Sequence, residues 1–561
     1  MTAPNNPRDD AQQAIDSDND EQLAQNKATA LVNFVLETSV ELFHAPDRVA
    51  YATIGRAGHP ETLAVESKDF RDWLIRTAYE TTGEALSSHV INAAARLLTS
   101  IAKYDGEEIP VHVRLAEHRE CLYLDLADSE HRVVKIQKSA GWSVVPAPPD
   151  VKFLRPAGMQ ALPVPVRGGS LDELRPFLNV SDAEWPLVLG TLLGAFSPEG
   201  PYPVQVIAGV QGSAKSTHAR VFRSLIDPNV APLNTLRDDA WSLAIEASNT
   251  WVLAYDNVSH IRPAVSDALC RISTGGGFRT RTLYETSAET IFTFQRPVIL
   301  NGIGDILSRG DLIDRAIFFR LQRIDEATRR TEREFLSDLE KVRPRVLGAL
   351  LNAVATAYRN VDRIVLEEKP RMADFAQWVV AGEEALPIEE GDFLRAYKTN
   401  RKGANELVLE DSPIAQGIMK LISDQGSWEG TATELLDALT PNMNVDQRRR
   451  SGWPRSARGM RSGLDRIVPN LAEGDIHVQH VRTKGRRQIS IQNATGTTGT
   501  SSLLNSNFDD GRGDEQPQQT QTPSPVREQF QTESGRLDGG DGRVQGTDTG
   551  VPIQRRRRVS L

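Results

Sequence analysis

Cysteine is almost absent from this chain, with only Cys121 and Cys270 among 561 residues. Two thiols so far apart fit neither a zinc site nor a disulfide framework, and both read as buried side chains. No stretch approaches eighteen consecutive apolar residues, which excludes a membrane-spanning helix. The polar start MTAPNNPRDDAQQAIDSDNDEQ lacks the hydrophobic region of a secretory signal, so a cytoplasmic protein that avoids membranes is expected. Histidine is scarce as well: there are ten, and His112, His118 and His131 show no metal-ligand spacing. The first 160 or so residues hold no carboxylate cluster, and Asp125 and Asp128 read as turn formers.

What is present is ordinary globular composition, 39% hydrophobic and 25% charged, in a length that suits two to four domains. The net charge of −10 argues against a protein that coats nucleic acid uniformly. A basic lining inside a larger assembly remains compatible with it.

The most informative segment is AGVQGSAKSTHAR, Ala208 to Arg220. The apolar run VQVIAG suits a buried strand, small residues follow, and a helical pattern begins near Thr217. Such a strand–loop–helix can cradle a polyphosphate on successive backbone N–H groups at a helix N-terminus. The cradle would be Gly209, Val210, Gln211, Gly212, Ser213, Ala214, Lys215, Ser216 and Thr217. Lys215 would reach the β- and γ-phosphates of ATP, and Ser216 would offer a hard oxygen to Mg²⁺. The residue before the lysine is usually glycine; here it is Ala214, tolerable where φ stays negative.

Downstream, TWVLAYDNVS is an apolar strand ending in Asp256 and Asn257, where a carboxylate can hold a magnesium-bound water. A third strand, RPVILNG, ends at Asn301, whose amide can orient the attacking water or sense the γ-phosphate. In DLIDRAIFFRLQRI, Arg315 and Arg320 are candidates for stabilising transition-state charge on a neighbouring subunit's nucleotide. Buried pairing with Asp311 or Asp314 is the alternative for either. An amide at 257 can position water but cannot take its proton.

The order of these elements, with about forty residues from Lys215 to Asp256 and a similar gap to Asn301, resembles superfamily 3 helicases of viruses, phages and plasmids. Between its second and third strands that family carries a pore-lining hairpin. This chain has LCRISTGGGFRTRTLYETSAETIFTFQRP there, with Arg279 and Arg281 alternating before a turn at ETSA. The block from Gly209 to Leu321 is also similar to the ATPase module of replication proteins of phages and mobile elements, including primase-helicases. The resemblance implies an AAA+-like core, a homo-oligomeric ring, and ATP-driven movement along single-stranded or forked DNA.

Residues 1–27 are polar and are expected to be disordered. From 28 to 165 helical patterns around the strand-like VAYATIG give way to four strand patterns, VHVRLA, CLYLDLA, HRVVKIQ and GWSVVPA, a mixed α/β domain of unknown role. PAGMQALPVPVRGG, 156–169, reads as a boundary. The ATPase core with its helical lid, interrupted at Pro344, would span 166–365, and a helical connector 366–411. Residues 412–493 read as three helices and a hairpin, the order of a winged helix. Arg455, Arg458 and Arg461 lie near its third helix and Lys484, Arg486 and Arg487 at its wing, all suited to DNA phosphates unless they form a solvated face. Trp428 and Trp453 read as core anchors. The Gly-, Ser-, Thr-, Gln- and Pro-dominated tail, 494–561, is expected to be disordered.

The fold class expected is therefore α/β, a P-loop NTPase core of the superfamily 3 helicase type between a mixed α/β N-terminal domain and a C-terminal winged helix, with disordered termini. The function expected is an ATP- and Mg²⁺-dependent DNA helicase or translocase in replication of a phage or integrated element, with other replication proteins as partners. Two alternatives stay open: an ATP-dependent DNA-binding initiator or regulator that does not unwind, and a primase-helicase with polymerase activity in its N-terminal part.

Overall fold

The computed structural model describes residues 24–493 except 39, 56–59, 282–288, 293, 303–309, 443–452 and 484–485, together with 22 and 557–559. Most of the segments 1–27 and 494–561 therefore lie outside the described residues. No helix among the described residues is long and apolar enough to cross a membrane.

The region expected as one N-terminal domain forms two bodies. The first has its own core, in which Val35, Phe70, Leu74, Ala94 and Leu98 are fully buried. A helix over 24–37, starting four residues before the expected onset of order, and the helices Lys68–Thr82 and Ser88–Tyr104 belong to this body. The sheet's strands are Glu41–His44, Ala50–Ile54, Glu61–Ala64 and Glu107–Glu108. Ser67 and Ser87 start the two later helices by accepting the N–H groups of Phe70 and Val90.

The second body is an antiparallel meander of Leu115–His118, Cys121–Asp125, Arg132–Gln137 and Gly141–Pro146. The expected strand VHVRLA is split in two, because Arg114 adopts a left-handed backbone with φ 68°. One face of this meander, through Leu122, Leu124, Ile136 and Trp142, shares a core with the parallel-sheet body that follows. Residues 156–169 are accordingly no flexible boundary. Val166 N–H donates to Pro344 O, and a Cβ on Gly348 would sit 1.9 Å from Val166 O, so only glycine admits this approach.

Four parallel strands form the central sheet in the order Leu253–Val258, Val298–Gly302, Val204–Gly209, Ala316–Leu321. Alternate residues feed two cores: Ile207, Ile299 and Phe319 on one face, Val206, Leu300 and Phe318 on the other. Burial on both faces explains why these strands read as continuous apolar runs. The helix Trp185–Gly194 is buried at all ten positions beneath one face.

The expected break at Pro344 does not occur; Glu332–Asn360 is one helix of 29 residues. Burial of Val346, Leu347, Leu350 and Leu351 outweighs the one hydrogen bond that proline removes. The expected connector is also part of the core body, since Phe375, Trp378, Phe393 and Tyr397 pack into it. The helix Asp392–Asp411 then joins two bodies: Asn400 bonds both the N–H and C=O of Phe318 on the edge strand, and Asn405 accepts from Asn470 at 2.7 Å.

Asn470 belongs to the C-terminal body, built from helices Pro413–Gln425, Ala432–Leu439 and Ala457–Glu473 and the hairpin Ile476–Thr483 with Arg486–Asn493. A strand that the sequence reading does not place, Ser427–Gly430, lies between the first two helices and completes a three-stranded sheet. Trp428 and Trp453 pack against this body's core. In the tail, Arg557–Val559 pairs in parallel with Ile364–Leu366.

Candidate functional site

From the Val204–Gly209 strand the chain runs to Leu253–Val258 on one side, whereas from the intervening Val298–Gly302 it crosses to Ala316–Leu321 on the other. In open parallel sheets this reversal leaves a crevice at the carboxyl ends of the strands. The loop 209–214 and the N-terminus of helix Lys215–Ile226 lie there. Gly209, with φ 154°, is required because a Cβ would meet Leu321 O at 2.5 Å and Ser213 Oγ at 2.7 Å. Ala214 departs from expectation: its φ is +65°, the left-handed region. The loop demands the glycine geometry there even though the side chain is a methyl.

Lys215 folds its ammonium over the loop, donating to Gly209 O at 2.8 Å and Val210 O at 3.0 Å. Beside it, three side chains from three elements converge. Ser216 Oγ lies 3.1 and 3.0 Å from the two oxygens of Asp256. Asn301 Nδ2 donates to Ser216 Oγ at 3.0 Å and to Asp256 Oδ1. Asn301 is buried, and its own Oδ1 has no partner among the described residues. Such an oxygen is expensive to leave unbonded.

Asp256 is anchored through its backbone as well. Its N–H donates to Asn234 O at 2.9 Å, and Asn234 shares Glu246 with Tyr255, whose hydroxyl donates to that carboxylate at 2.9 Å. Neither Asn234 nor Glu246 was legible as a supporting residue, because nothing in the local sequence pairs them with Asp256. Asn257 is exposed, has φ 54°, and donates its N–H to Asp256 Oδ1 at 2.9 Å. Asparagine tolerates this conformation better than most residues. Asn179 was likewise missed: its amide donates to Ser213 O at 3.1 Å and Gln322 O at 2.6 Å, fastening the loop from the preceding segment.

The two candidate arginines sit at opposite ends of the edge strand. Arg320 is in register with Ala208 at the loop end and donates to Gly403 O at 2.9 Å. Arg315 precedes the strand at the far end and donates to Asp311 O at 2.8 Å. Neither is buried. Residues Phe278–Arg281 pair antiparallel with Glu289–Phe292, so Arg279 and Arg281 fall on a hairpin whose turn and side chains lie outside the described residues.

In the C-terminal body Arg455 and Arg458 are exposed around the start of helix Ala457–Glu473, while Arg461 lies 3.8 Å from Asp465. Lys484 and the side chains of Arg486 and Arg487 are outside the described residues. Asp125 and Asp128 are both engaged, the first with Arg155 at 2.6 and 2.9 Å and the second with Arg132 at 2.7 Å. Cys121 and Cys270 are both buried.

Compared with known families, residues 171–402 match the actinomycete integrative conjugative element replication protein and residues 414–506 match the AICE RepA C-terminal domain. The chain is a replication protein of this mobile-element family. The first match takes in the loop, Asp256, Asn301 and both candidate arginines, and the second takes in the arginine-bearing helix. No curated protein matches the mobile-element replication protein. Among solved structures it is similar to the A-form apo structure of the NrS-1 C-terminal region, at 11% identity and a TM-score of 0.35, over 82% of this chain and 98% of that one. A second apo structure of the same region, residues 305–718, gives 12% identity and the same score and coverage.

Proposed function

We propose that this replication protein is a nucleoside triphosphatase of the superfamily 3 helicase type that moves along single-stranded or forked DNA. The observation that carries the reading is the convergence of Ser216, Asp256 and Asn301 beside Lys215 at the carboxyl end of a parallel sheet. A hydroxyl, a carboxylate and an unpartnered amide oxygen are hard donors that fit Mg²⁺, held by Ser216 and Asp256. When bound, the ion neutralises charge on the phosphates.

The residues then have distinct tasks. Loop N–H groups from Val210 to Ser216 receive the polyphosphate, and Lys215 exchanges two loop carbonyls for phosphate oxygens. Asn301, between the loop strand and the Asp256 strand, orients the attacking water. Arg320 or Arg315 serves a neighbouring subunit's site in a ring. The hairpin with Arg279 and Arg281 lines the path of the strand, and the C-terminal body, whose helix–strand–helix–helix–hairpin order is that of a winged helix, contacts duplex phosphates through Arg455 and Arg458.

Asn257 favours a second reading, an initiator or regulator that binds ATP to assemble on DNA without unwinding it. Its amide cannot accept the water's proton. For polymerase chemistry in 28–165, the acidic residues Asp125 and Asp128 offer no support, since arginines already occupy both.

Lys215→Ala decides the nucleotide site: turnover of ATP should disappear while the protein stays folded, and unchanged turnover would remove the assignment. Strand displacement on a forked duplex, with and without ATP, separates the motor from the regulator.

A further inference from the structure

The sequence ends in QRRRRVSL, and the reading above leaves its run of arginines, Arg555 to Arg558, without a task. Part of this end is placed on the core body. Arg557–Val559 lies in parallel against Ile364–Leu366, with Ile364 opposite Arg557, Val365 opposite Arg558 and Leu366 opposite Val559. Among the described residues this is the only strand that pairs with Ile364–Leu366.

The receiving segment is held extended by the core body itself. Ile364 and Leu366 are buried in the core, which fixes the face that the segment turns inward. Gln377, on helix Ala373–Gly382, donates its amide to Val361 O at 3.0 Å and to Ile364 O at 2.9 Å. The N–H of Ile364 donates to Val361 O. Both backbone polar groups of Ile364 are thus engaged within the core body. Successive residues of a strand direct their N–H and C=O groups to opposite edges, so Val365 is the residue that meets the added strand. In that parallel register its N–H donates to Arg557 O and its C=O accepts the N–H of Val559.

The carboxylates flanking the segment do not cancel the charge that arrives with it. Asp362 pairs with Lys138 at 2.8 Å and Glu368 with Lys398 at 3.5 Å, and Glu367 beside them is a single exposed carboxylate. Consecutive arginines with no apolar residue between them suit the regularly spaced charges of a nucleic-acid backbone, and the guanidinium fork matches phosphate oxygens. The family match to a replication protein places such a backbone among the chain's ligand classes.

We propose that Ile364–Leu366 is a strand-addition site filled by the chain's own C-terminal end, and that docking there anchors Arg555–Arg558 on the core body as a contact strip for nucleic-acid phosphates. Three residues of parallel ladder are weak alone. A covalent tether raises the effective concentration of the end to about millimolar, enough to fill a site that a separate peptide would fill poorly. The proposal is independent of the nucleotide reading of the loop.

Hydrogen exchange on the full chain reads the docking. The amide of Val365 should exchange at least about tenfold more slowly in the wild type than in Val559→Pro, which lacks the donor to Val365 O. Val559→Ala keeps that donor and should match the wild type. Protection should hold across about a hundredfold range of protein concentration, because a tethered end does not dilute. Titration of an oligo-dT of about thirty nucleotides at several salt concentrations reads the strip. Replacing the arginines 555–558 with alanine should lower the slope of log affinity against log salt by about 2 to 3. Val559→Pro keeps these charges but releases them from the core body, and it should bind about threefold or more weakly, because an anchored strip has less freedom to lose.

Equal exchange at Val365 in the wild type and Val559→Pro overturns the docking site. Protection that disappears on dilution gives the site to the end of a second copy and overturns its assignment to the same chain. An unchanged salt slope in the alanine variant, a Val559→Pro chain that binds oligo-dT as tightly as the wild type, or a wild type that does not bind it at all overturns the contact strip. The phosphate loop stands or falls separately, by Lys215→Ala.

Discussion

Arg114 and Asp227 form an ion pair at 3.0 Å with both side chains almost wholly out of solvent, joining the antiparallel meander to the end of the loop-bearing helix. The arginine also donates to Asp125 O and Gln160 O, and the other carboxylate oxygen accepts the N–H groups of Trp251 and Val252 at the start of the Asp256 strand. Breaking a buried pair by removing one partner strands the other charge and costs about 3–5 kcal/mol. Arg114→Met alone or Asp227→Asn alone should therefore lower the urea midpoint sharply, and the double variant should lose less than the sum of the two. A truncated chain beginning at residue 171, where the family match starts, should fail to fold, since it loses half of this joint. A soluble, ATP-binding fragment of that length would show the joint to be dispensable.

Ala214 supplies a gain rather than a loss. An L-residue in the left-handed region costs roughly 1–2 kcal/mol relative to right-handed backbone, partly offset in a glycine variant by greater freedom of the unfolded chain. Ala214→Gly should raise stability by up to about 1 kcal/mol, seen as a rise in thermal midpoint of about a degree or two. Nucleotide affinity should stay the same or tighten. A lower midpoint would mean that the methyl group makes contacts that outweigh its backbone strain.

The sequence made the loop and the strand ends legible because their signals are local. Lys215 and Ser216 sit in a run of small residues, and Asp256 and Asn301 each close an apolar run before a turn. The same locality fails for Asn179, whose two acceptors lie 34 and 143 residues away, and for Arg114, whose carboxylate is 113 residues distant. The proline- and glycine-rich 156–169 segment misleads for a related reason. Its composition speaks of turns, while Gly348, on a helix far along the chain, decides that it packs tightly. The C-terminal helices were readable from their apolar spacing, but Ser427–Gly430 is too short to show a strand period.

His218, two residues beyond Ser216, carries a stability that depends on pH. It is fully buried between the rings of Phe222 and Phe319, at 5.0 and 5.1 Å, and neither ring nitrogen has a partner among the described residues. Burial pulls its pKa down to about 3 from 6.5. The folded protein thus keeps the imidazole neutral while the unfolded chain takes up a proton below 6.5. The resulting stability is complete above about pH 6.5 and is lost as pH falls toward 3, by about 1.4 kcal/mol per unit. His112, pushed down to about 4 mainly by burial, adds to the same slope between 6.5 and 4. Unfolding measured from pH 7 to 5 should show proton uptake that His218→Phe reduces by about one proton. An unchanged slope would mean that water reaches the ring.

Arg455 and Arg458 are exposed around the N-terminus of helix Ala457–Glu473, where residues of a groove-entering helix meet DNA. Arg461 is half-buried and shares Asp465 with His480, whose Nε2 lies 2.9 Å from that carboxylate. If the first two neutralise one phosphate each, replacing both with alanine should reduce the slope of log affinity against log salt by about 1.8 on duplex DNA. The loss should be similar on unrelated sequences, because phosphate contacts carry orientation rather than base identity. Arg461→Ala should change the slope less, since its charge is already partly answered by Asp465. Equal effects at all three positions would show that the Asp465 contact gives way when DNA arrives. An unaltered slope in the double variant would place the DNA on another face of this body.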